Sequence, residues 1–298
     1  MMGRLVARVT VVALGYCLCT STAVAGAIFI TGHDPDFHAQ TSAEPGAQTL
    51  LRTGLNYARN GDGTVGTNAA ALPVLWIESN PATDGGIPGG HRFGLNGLRN
   101  IGYLAVGEVG VAPEGRYVFA NAATLTDAFW ATVTTANYSA IGVASTFGGI
   151  LRQAELDNLN GHSADIAIFF NAGGGIFAAA EGSEGANLAP LGGYFGWIPI
   201  TAGSATSAAP PYSVTAFGAG LGLTDGDVAS PSHSHFVSDG GLNVVSRDNL
   251  SRIMTLAGVT TITPGGGFGV PEPGTLALLL LAIGIAASRT LVSRRAAG

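Results

Sequence analysis

Hydrophobic residues along the chain fall into short continuous runs and into stretches with helical spacing, and the two kinds alternate. The short runs are rich in β-branched residues and end near Gly or Pro, which is typical of buried strands. They lie at residues 27–31, 72–78, 138–143 and 176–180. Apolar residues with helical spacing lie between them, at residues 46–59, 91–103 and 151–171.

The stretch 151–171 has the clearest helical pattern in the chain. Its apolar residues follow a three-four spacing at Leu156, Leu159, Ile166 and Phe170. The glycines at 173–175 can end this helix before the next apolar run, so strand, helix and strand form a βαβ unit. The alternation predicts an α/β fold with a mostly parallel sheet flanked by helices. Further strand candidates lie at residues 194–200 and 242–246.

The N-terminus has the three parts of a secretion signal in the correct order. Arg4 and Arg8 supply the positive region, residues 9–19 form an apolar core, and Ala23-Val24-Ala25 is a small-x-small cleavage site. We therefore predict a signal peptide over residues 1–25, with Ala23 and Ala25 as the cleavage-site residues.

The C-terminus has a second export-related pattern. A Gly-rich linker at 261–269 leads to Pro271, Glu272 and Pro273, then to 12 apolar or Gly residues at 276–287, and the chain ends near Arg294 and Arg295. Twelve helical residues cover only about 18 Å of a hydrocarbon core of about 30 Å. A membrane helix over about 274–293 reaches the needed length but includes Arg289.

This tail, residues 270–298, resembles the PEP-CTERM sorting signal. The resemblance implies recognition by an exosortase, a membrane-embedded cysteine protease of Gram-negative bacteria that make exopolysaccharide. It also implies that Pro271, Glu272 and Pro273 are recognition residues, with Arg294 and Arg295 completing the signal. The alternative is an ordinary single-pass anchor after a proline-rich segment. In either case the ectodomain, residues 26–260, lies outside the inner membrane. A sorted protein is anchored to that membrane only before processing.

Composition excludes several classes of function for the ectodomain. Charged residues make up 11% of the chain, and it contains no Lys. Between residues 26 and 270 there are 8 Arg and 18 acidic residues, a formal net charge of −10, which argues against nucleic-acid binding. Cys17 and Cys19 are the only cysteines and lie in the signal, so the mature protein has no disulfide or thiolate chemistry.

A segment of about 45 residues, 138–181, resembles the class I glutamine-amidotransferase-like fold, which is related in architecture to flavodoxin-like folds. In that family a helix ending in Phe-x-x-x-Gly-Gly-Gly leads into the strand below the nucleophile turn, and here Phe169 to Gly175 follow this motif. The family nucleophile is a cysteine, which the mature chain lacks. The resemblance therefore implies the scaffold without the amidotransferase reaction.

Two groups of histidines and acids are candidate metal ligands. His33, Asp34, Asp36 and His38 directly follow the first predicted strand, where α/β sheets bind ligands. His233 and His235 lie two apart, so they would share one side of a strand. Imidazole and carboxylate suit Zn or another divalent metal. Asp-Pro and Pro-Ser sequences equally indicate polar turns, and without a third partner we favour turns.

Ser183 is the candidate catalytic nucleophile. Glu181-Gly182-Ser183-Glu184-Gly185 follows a predicted strand and nearly matches the Gly-x-Ser-x-Gly elbow, but Glu181 replaces the first Gly. The sequence thus favours an exported cell-surface or matrix protein whose ectodomain is structural or binds a partner, with exosortase, the inner membrane and exopolysaccharide as expected partners and no cofactor. The alternative is a secreted hydrolase that uses a His/Asp metal site or a Ser nucleophile.

Overall fold

The described residues of this computed structural model are 25–40, 44–61, 72–79, 94–146, 151–180, 194–199, 209–229, 234–263 and 268–269. All of them lie in one compact unit, Ala23–Pro271. The sorting tail, Ala23 of the cleavage site, Ser183 and His233 are outside the described residues, so the predictions for them stay predictions.

Strands and helices alternate along the first two thirds of the described chain. The strands are β1 (Gly26–Thr31), β2 (Val74–Ile77), β3 (Tyr103–Ala105), β4 (Gly115–Ala120), β5 (Ala140–Val143), β6 (Gly175–Ala179), β7 (Ser213–Val214), β8 (Asn243–Arg247), β9 (Ile253–Ile262) and β10 (Phe268–Gly269). The helices are α1 (Pro35–His38), α2 (Pro45–Asn60), α3 (Gly94–Asn100), α4 (Asp127–Trp130), α5 (Gln153–Gly161), α6 (Ser163–Asn171) and α7 (Ala216–Gly220).

Nine strands form one sheet in the order β3-β4-β2-β5-β6-β1-β9-β8-β7, and β10 pairs with β9. Every pairing from β3 across to β1 is parallel. The pairings of β1 with β9, β9 with β8 and β8 with β7 are antiparallel. The prediction of an α/β fold with a mostly parallel sheet is therefore confirmed at this level.

Alternate residues of β1 supply the two sides of a three-layer structure. Ile28 and Ile30 belong to the apolar core that contains α5 and α6, whereas Phe29 belongs to the core that contains α2. Because successive strand residues point to opposite faces, helices cover both sides of the parallel part of the sheet. This explains why β1, β2, β5 and β6 are buried at every position.

Helix α2 packs one face against the sheet and has clear signals at both ends. Pro45 stands in its first turn, and Gly61 ends it with φ 81°, where its amide donates to Tyr57 O. The predicted range 46–59 is confirmed. Gly54 lies so close to Phe29 and Phe177 that a methyl group there would be 2.7 Å from either ring.

Two local predictions were wrong. The helix expected over 151–171 is divided into α5 and α6 at His162, which has φ −104° and ψ 20° and stacks on Trp130. The segment 194–200 was expected to be a strand, but its described residues, 194–199, form turns with Ile198 N donating to Phe195 O. Within the described part of the chain, none of the helices has the length and apolar character of a membrane-spanning segment.

Candidate functional site

The carboxyl ends of the parallel strands meet at one edge of the sheet, which we call the carboxyl edge. Because β1, β6, β5 and β2 are neighbours, the residues that follow them are brought together. After β1 come His33 and Asp34, after β2 comes Glu78, and after β5 comes Ser145. These side chains are buried, as is Asp36 in the first turn of α1.

Asp36 connects α1 to the end of β5. Its Oδ2 accepts a hydrogen bond from the Ser145 amide at 2.9 Å and another from Ser145 Oγ at 3.1 Å. Its Oδ1 is buried, and no group among the described residues meets the geometry of a hydrogen bond to it. Ser145 therefore supplies both of the hydrogen bonds that Oδ2 accepts from described residues.

Glu78 connects the end of β2 to the start of α3. Trp76 Nε1 donates to its Oε2 at 2.7 Å, and the Leu95 amide donates to the same oxygen at 3.1 Å. The Gly94 amide donates to Oε1 at 2.7 Å. Both oxygens of Glu78 are thus engaged, by N–H groups that only donate.

Asp36 and Glu78 approach each other around Gly94, and we call them the carboxyl pair. A methyl group at Gly94 would lie 3.0 Å from Asp36 Oδ2 and 3.3 Å from Glu78 Oε2. It would also lie 2.9 Å from Trp76 Cζ2. Position 94 therefore needs Gly, because both carboxyl groups and the indole ring occupy the space that a side chain would take.

Burial raises the pKa of both members of the carboxyl pair. For Asp36, burial outweighs the donors of Ser145 and the nearby amides of Asp36 and Phe37, which lower its pKa. For Glu78, burial raises the pKa well above its usual range, the bond from Trp76 lowers it, and the charge of Asp36 raises it further. The pair therefore favours at least one neutral carboxyl group.

Asp248 is a buried carboxylate that forms an ion pair with an arginine. Burial alone would raise its pKa, but the amides of Ala209 and Arg252 and the Arg252 guanidinium together lower it. Arg252 Nε and Nη2 each lie 2.7 Å from Asp248 Oδ2. Among the described residues, no arginine forms an ion pair with Asp36 or Glu78, in contrast to Asp248.

The four metal-ligand candidates of the first turn occupy different environments. The ring of His33 lies edge-on to Tyr212, with centroids 5.0 Å apart. His38 Nδ1 lies 2.6 Å from Glu44 Oε2, and its Nε2 lies 3.6 Å from Asp34 Oδ1. Asp36 already accepts two hydrogen bonds from Ser145, which is the pattern of a hydrogen-bonded carboxyl rather than a ligand.

His235 lies on a segment whose backbone is hydrogen-bonded to the turn that follows β1. The neighbouring Ser234 amide donates to Gly32 O at 3.3 Å. Burial and then the charge of Arg252 lower the pKa of His235, while Asp248 raises it. Within the described residues, no group of three or more His, Cys, Asp or Glu side chains is arranged to hold a metal ion.

Sequence reasoning missed Glu78, Ser145 and Trp76 as members of this site. The sequence did contain a signal for Glu78 and Ser145. Each lies within two residues of the end of a short apolar strand, just as His33 does. Their convergence depends on the strand order, which local patterns do not contain. The Tyr194 hydroxyl, which donates to Ala144 O beside Ser145, was missed for the same reason.

Comparison with known proteins gives little to add to this geometry. No family model matches the chain, and no curated protein matches it. One solved structure with a likeness to it is described as IMPa from Pseudomonas aeruginosa in complex with an O-glycopeptide. The identity is 18%, the match covers 52% of this chain and 13% of that one, and the TM-score of 0.29 is too low to support an argument about fold or function.

Proposed function

We propose that this chain is an exported cell-surface or extracellular-matrix protein that an exosortase-type protease sorts, and that its ectodomain is structural or binds a partner. The observation that carries the proposal is the tail, with Pro271, Glu272 and Pro273 before an apolar segment and Arg294 and Arg295 after it. The chain is inserted transiently in the inner membrane and reaches the surface after processing. Exopolysaccharide is the candidate partner there.

The ectodomain contributes a scaffold of the amidotransferase-like or flavodoxin-like kind, without the cysteine nucleophile. Support for a non-catalytic role comes from the carboxyl edge. Asp36, Glu78 and Ser145 have no solvent-exposed surface, and most of their polar atoms bond to one another or to nearby backbone. A catalytic group must reach its substrate, so this burial favours a structural use of these side chains.

Processing of the tail can be tested directly in a Gram-negative host that has an exosortase. We expect the released protein to lack Arg294 and Arg295 when its C-terminus is determined by mass spectrometry. Changing Pro271, Glu272 and Pro273 to Ala is expected to keep the protein in the membrane fraction. Pro264→Ala, in the linker before the motif, is the matched control and is expected to be processed normally. Released protein that retains both arginines would contradict the proposal.

A secreted hydrolase is the second candidate, and one contact favours it. Ser145 Oγ lies 3.1 Å from Asp36 Oδ2, so a nucleophile and a carboxylate base stand together at the end of a central strand. A fluorophosphonate probe separates the two functions, because the leading proposal predicts no labelling of Ser145 or Ser183. Labelling that is lost in Ser145→Ala and retained in Ser183→Ala would establish the hydrolase at Ser145.

A further inference from the structure

The first residue of β1 is also the first residue that remains if the signal is removed at the predicted site. Cleavage after Ala25 makes Gly26 the N-terminus. Gly26 is buried and already belongs to the sheet, where it stands opposite Thr260 of β9. The sheet of the ectodomain therefore begins directly at the predicted cleavage point, with no spacer between the two.

The backbone nitrogen of Gly26 faces β9. Just after the other end of β1, the amide of Gly32 donates to Met254 O at 2.8 Å. In an antiparallel pair, positions that exchange hydrogen bonds alternate with positions that do not. Counting back from Gly32 in steps of two along the register leads to the pair of Gly26 with Thr260. The N–H of Gly26 therefore points at the carbonyl oxygen of Thr260.

A side chain takes the next bonding position of β9. Ile262 lies two residues beyond Thr260, and its amide donates to Asn171 Oδ1 at 2.8 Å. Its carbonyl oxygen accepts a hydrogen bond from Asn171 Nδ2 at 2.7 Å. A carboxamide offers one acceptor and one donor group, as a peptide unit does, so Asn171 replaces a further residue of β1. The ladder between β1 and β9 thus ends at Gly26 and is complete without the residues of the signal.

The carboxyl end of α6 lies over Gly26. A methyl group on Gly26 would be 2.5 Å from Phe170 O and 2.5 Å from Gly174 O. That methyl carbon and the Gly26 nitrogen would share the same Cα, so the nitrogen lies within about 5 Å of both oxygens. Carbonyl groups at the carboxyl end of a helix carry partial negative charge and favour a nearby cation.

We propose that removal of the signal, the export step of the proposed function on which this inference rests, turns the nitrogen of Gly26 into an ammonium group that stabilises the fold. Hydrolysis breaks the Ala25–Gly26 peptide bond, and the hydroxyl of water goes to the carbonyl carbon of Ala25 while a proton goes to the Gly26 nitrogen. An α-amine is protonated at neutral pH. One N–H of the ammonium group keeps Thr260 O as its acceptor, and the positive charge lies beside the carboxyl end of α6.

The lack of Lys makes this amine directly measurable. The chain contains no Lys, so the α-amine of Gly26 is the one primary amine of the exported protein. We expect an N-hydroxysuccinimide ester of acetic acid to acetylate it about tenfold more slowly in the folded protein than in urea, because Gly26 is buried in the sheet. Equal rates in the folded and the unfolded protein would overturn the proposal.

Acetylation also tests the role of the charge. The acetyl carbonyl takes the place of the Ala25 carbonyl, for which the structure has room, and the modified nitrogen keeps one N–H for Thr260 O. The positive charge is lost. We expect protein that is acetylated in urea and refolded to have a lower urea midpoint than protein taken through the same steps without the ester. An equal or higher midpoint after acetylation would overturn the proposal.

Asn171→Ala tests whether the carboxamide holds the end of the ladder. The substitution removes both hydrogen bonds to Ile262, so we expect the amine of the folded protein to be acetylated about fivefold faster. Asn160→Ala is the matched control, because Asn160 Nδ2 donates to Leu156 O within α5 and the rate is expected to stay unchanged. Equal acetylation rates in the two variants would contradict the proposal.

The two ends of the exported protein separate this proposal from the proposed sorting. Mass spectrometry of the exported protein identifies both termini, and we expect Gly26 at the N-terminus. Another N-terminal residue would overturn the ammonium proposal, whatever has happened to Arg294 and Arg295. A retained tail would contradict sorting by an exosortase, whereas the amine of Gly26 and both acetylation tests would be unaffected.

Discussion

Gly175→Ala is expected to destabilise the fold more than Ala at position 54 or 94 would. A methyl group at Gly175 would lie 2.5 Å from the carbonyl carbon of Ala58, closer still to its oxygen, and 3.1 Å from Ala140 Cβ. The obstacle is the backbone of α2, which has no rotamer to change, so β6 or α2 must move. We expect a loss on the order of 4 kcal/mol in the free energy of unfolding, a large part of a typical domain's stability.

Urea denaturation of the full chain measures this effect, and Gly161→Ala provides the control. Gly161 ends α5, and a methyl group there meets no atom within 4 Å. Replacing a helical Gly with Ala is expected to leave stability unchanged or raise it by up to about 1 kcal/mol. Equal urea midpoints for the two variants would show that α2 and β6 are not packed as closely as described.

Trp76→Ala is expected to have the second large effect. Trp76 is fully buried on β2 and lies 6.2 Å from the Phe177 ring, centroid to centroid, at an angle of 23°. Its indole also donates to Glu78. Removing a buried aromatic side chain of this size typically costs about 3–5 kcal/mol, and the loss of a donor to a buried carboxylate adds to it.

Trp76→Phe separates the two contributions. It keeps an aromatic ring against Phe177 but removes the N–H, so we expect a loss of about 1–3 kcal/mol. Trp130→Phe is the matched control, because the Trp130 indole donates to a neutral acceptor, Asn158 Oδ1, at 2.7 Å. The Trp76–Glu78 bond is buried, whereas the Trp130–Asn158 bond is only partly buried, so Trp76→Phe should be the more destabilising. The reverse order would show that the Trp76–Glu78 bond contributes less to stability than a partly buried hydrogen bond does.

Most of the predicted strands are buried at every position. β1, β2, β5 and β6 are continuous apolar runs, and α2 has an apolar stripe with Pro and Gly at its ends. The missed strands have mixed patterns. β4 alternates buried and half-buried positions, and β9 contains three threonines and Gly258, which a run of apolar residues does not reveal.

The candidate site was predictable only in part. Asp36 was identified because it lies in a dense His/Asp turn after a strand, but it was assigned to a possible metal group. Its actual partners, Ser145 and Glu78, are 109 and 42 positions away and meet it through the order β1-β6-β5-β2. Spacing along the chain gives no information about that strand order, which is seen only in the folded sheet.

The first and last long strands bring the two ends of the described sheet to the same edge. Gly26 on β1 pairs with Thr260 on β9, and β10 pairs with β9 at Ile262 and Thr261. The chain therefore leaves the sheet beside the point where β1 begins, which is the edge opposite Asp36 and Glu78. Six residues of β1 separate the two edges by about 20 Å. Immobilising the domain on a support near Gly26 or near Thr261 would therefore leave the carboxyl edge as the part of the sheet farthest from the support.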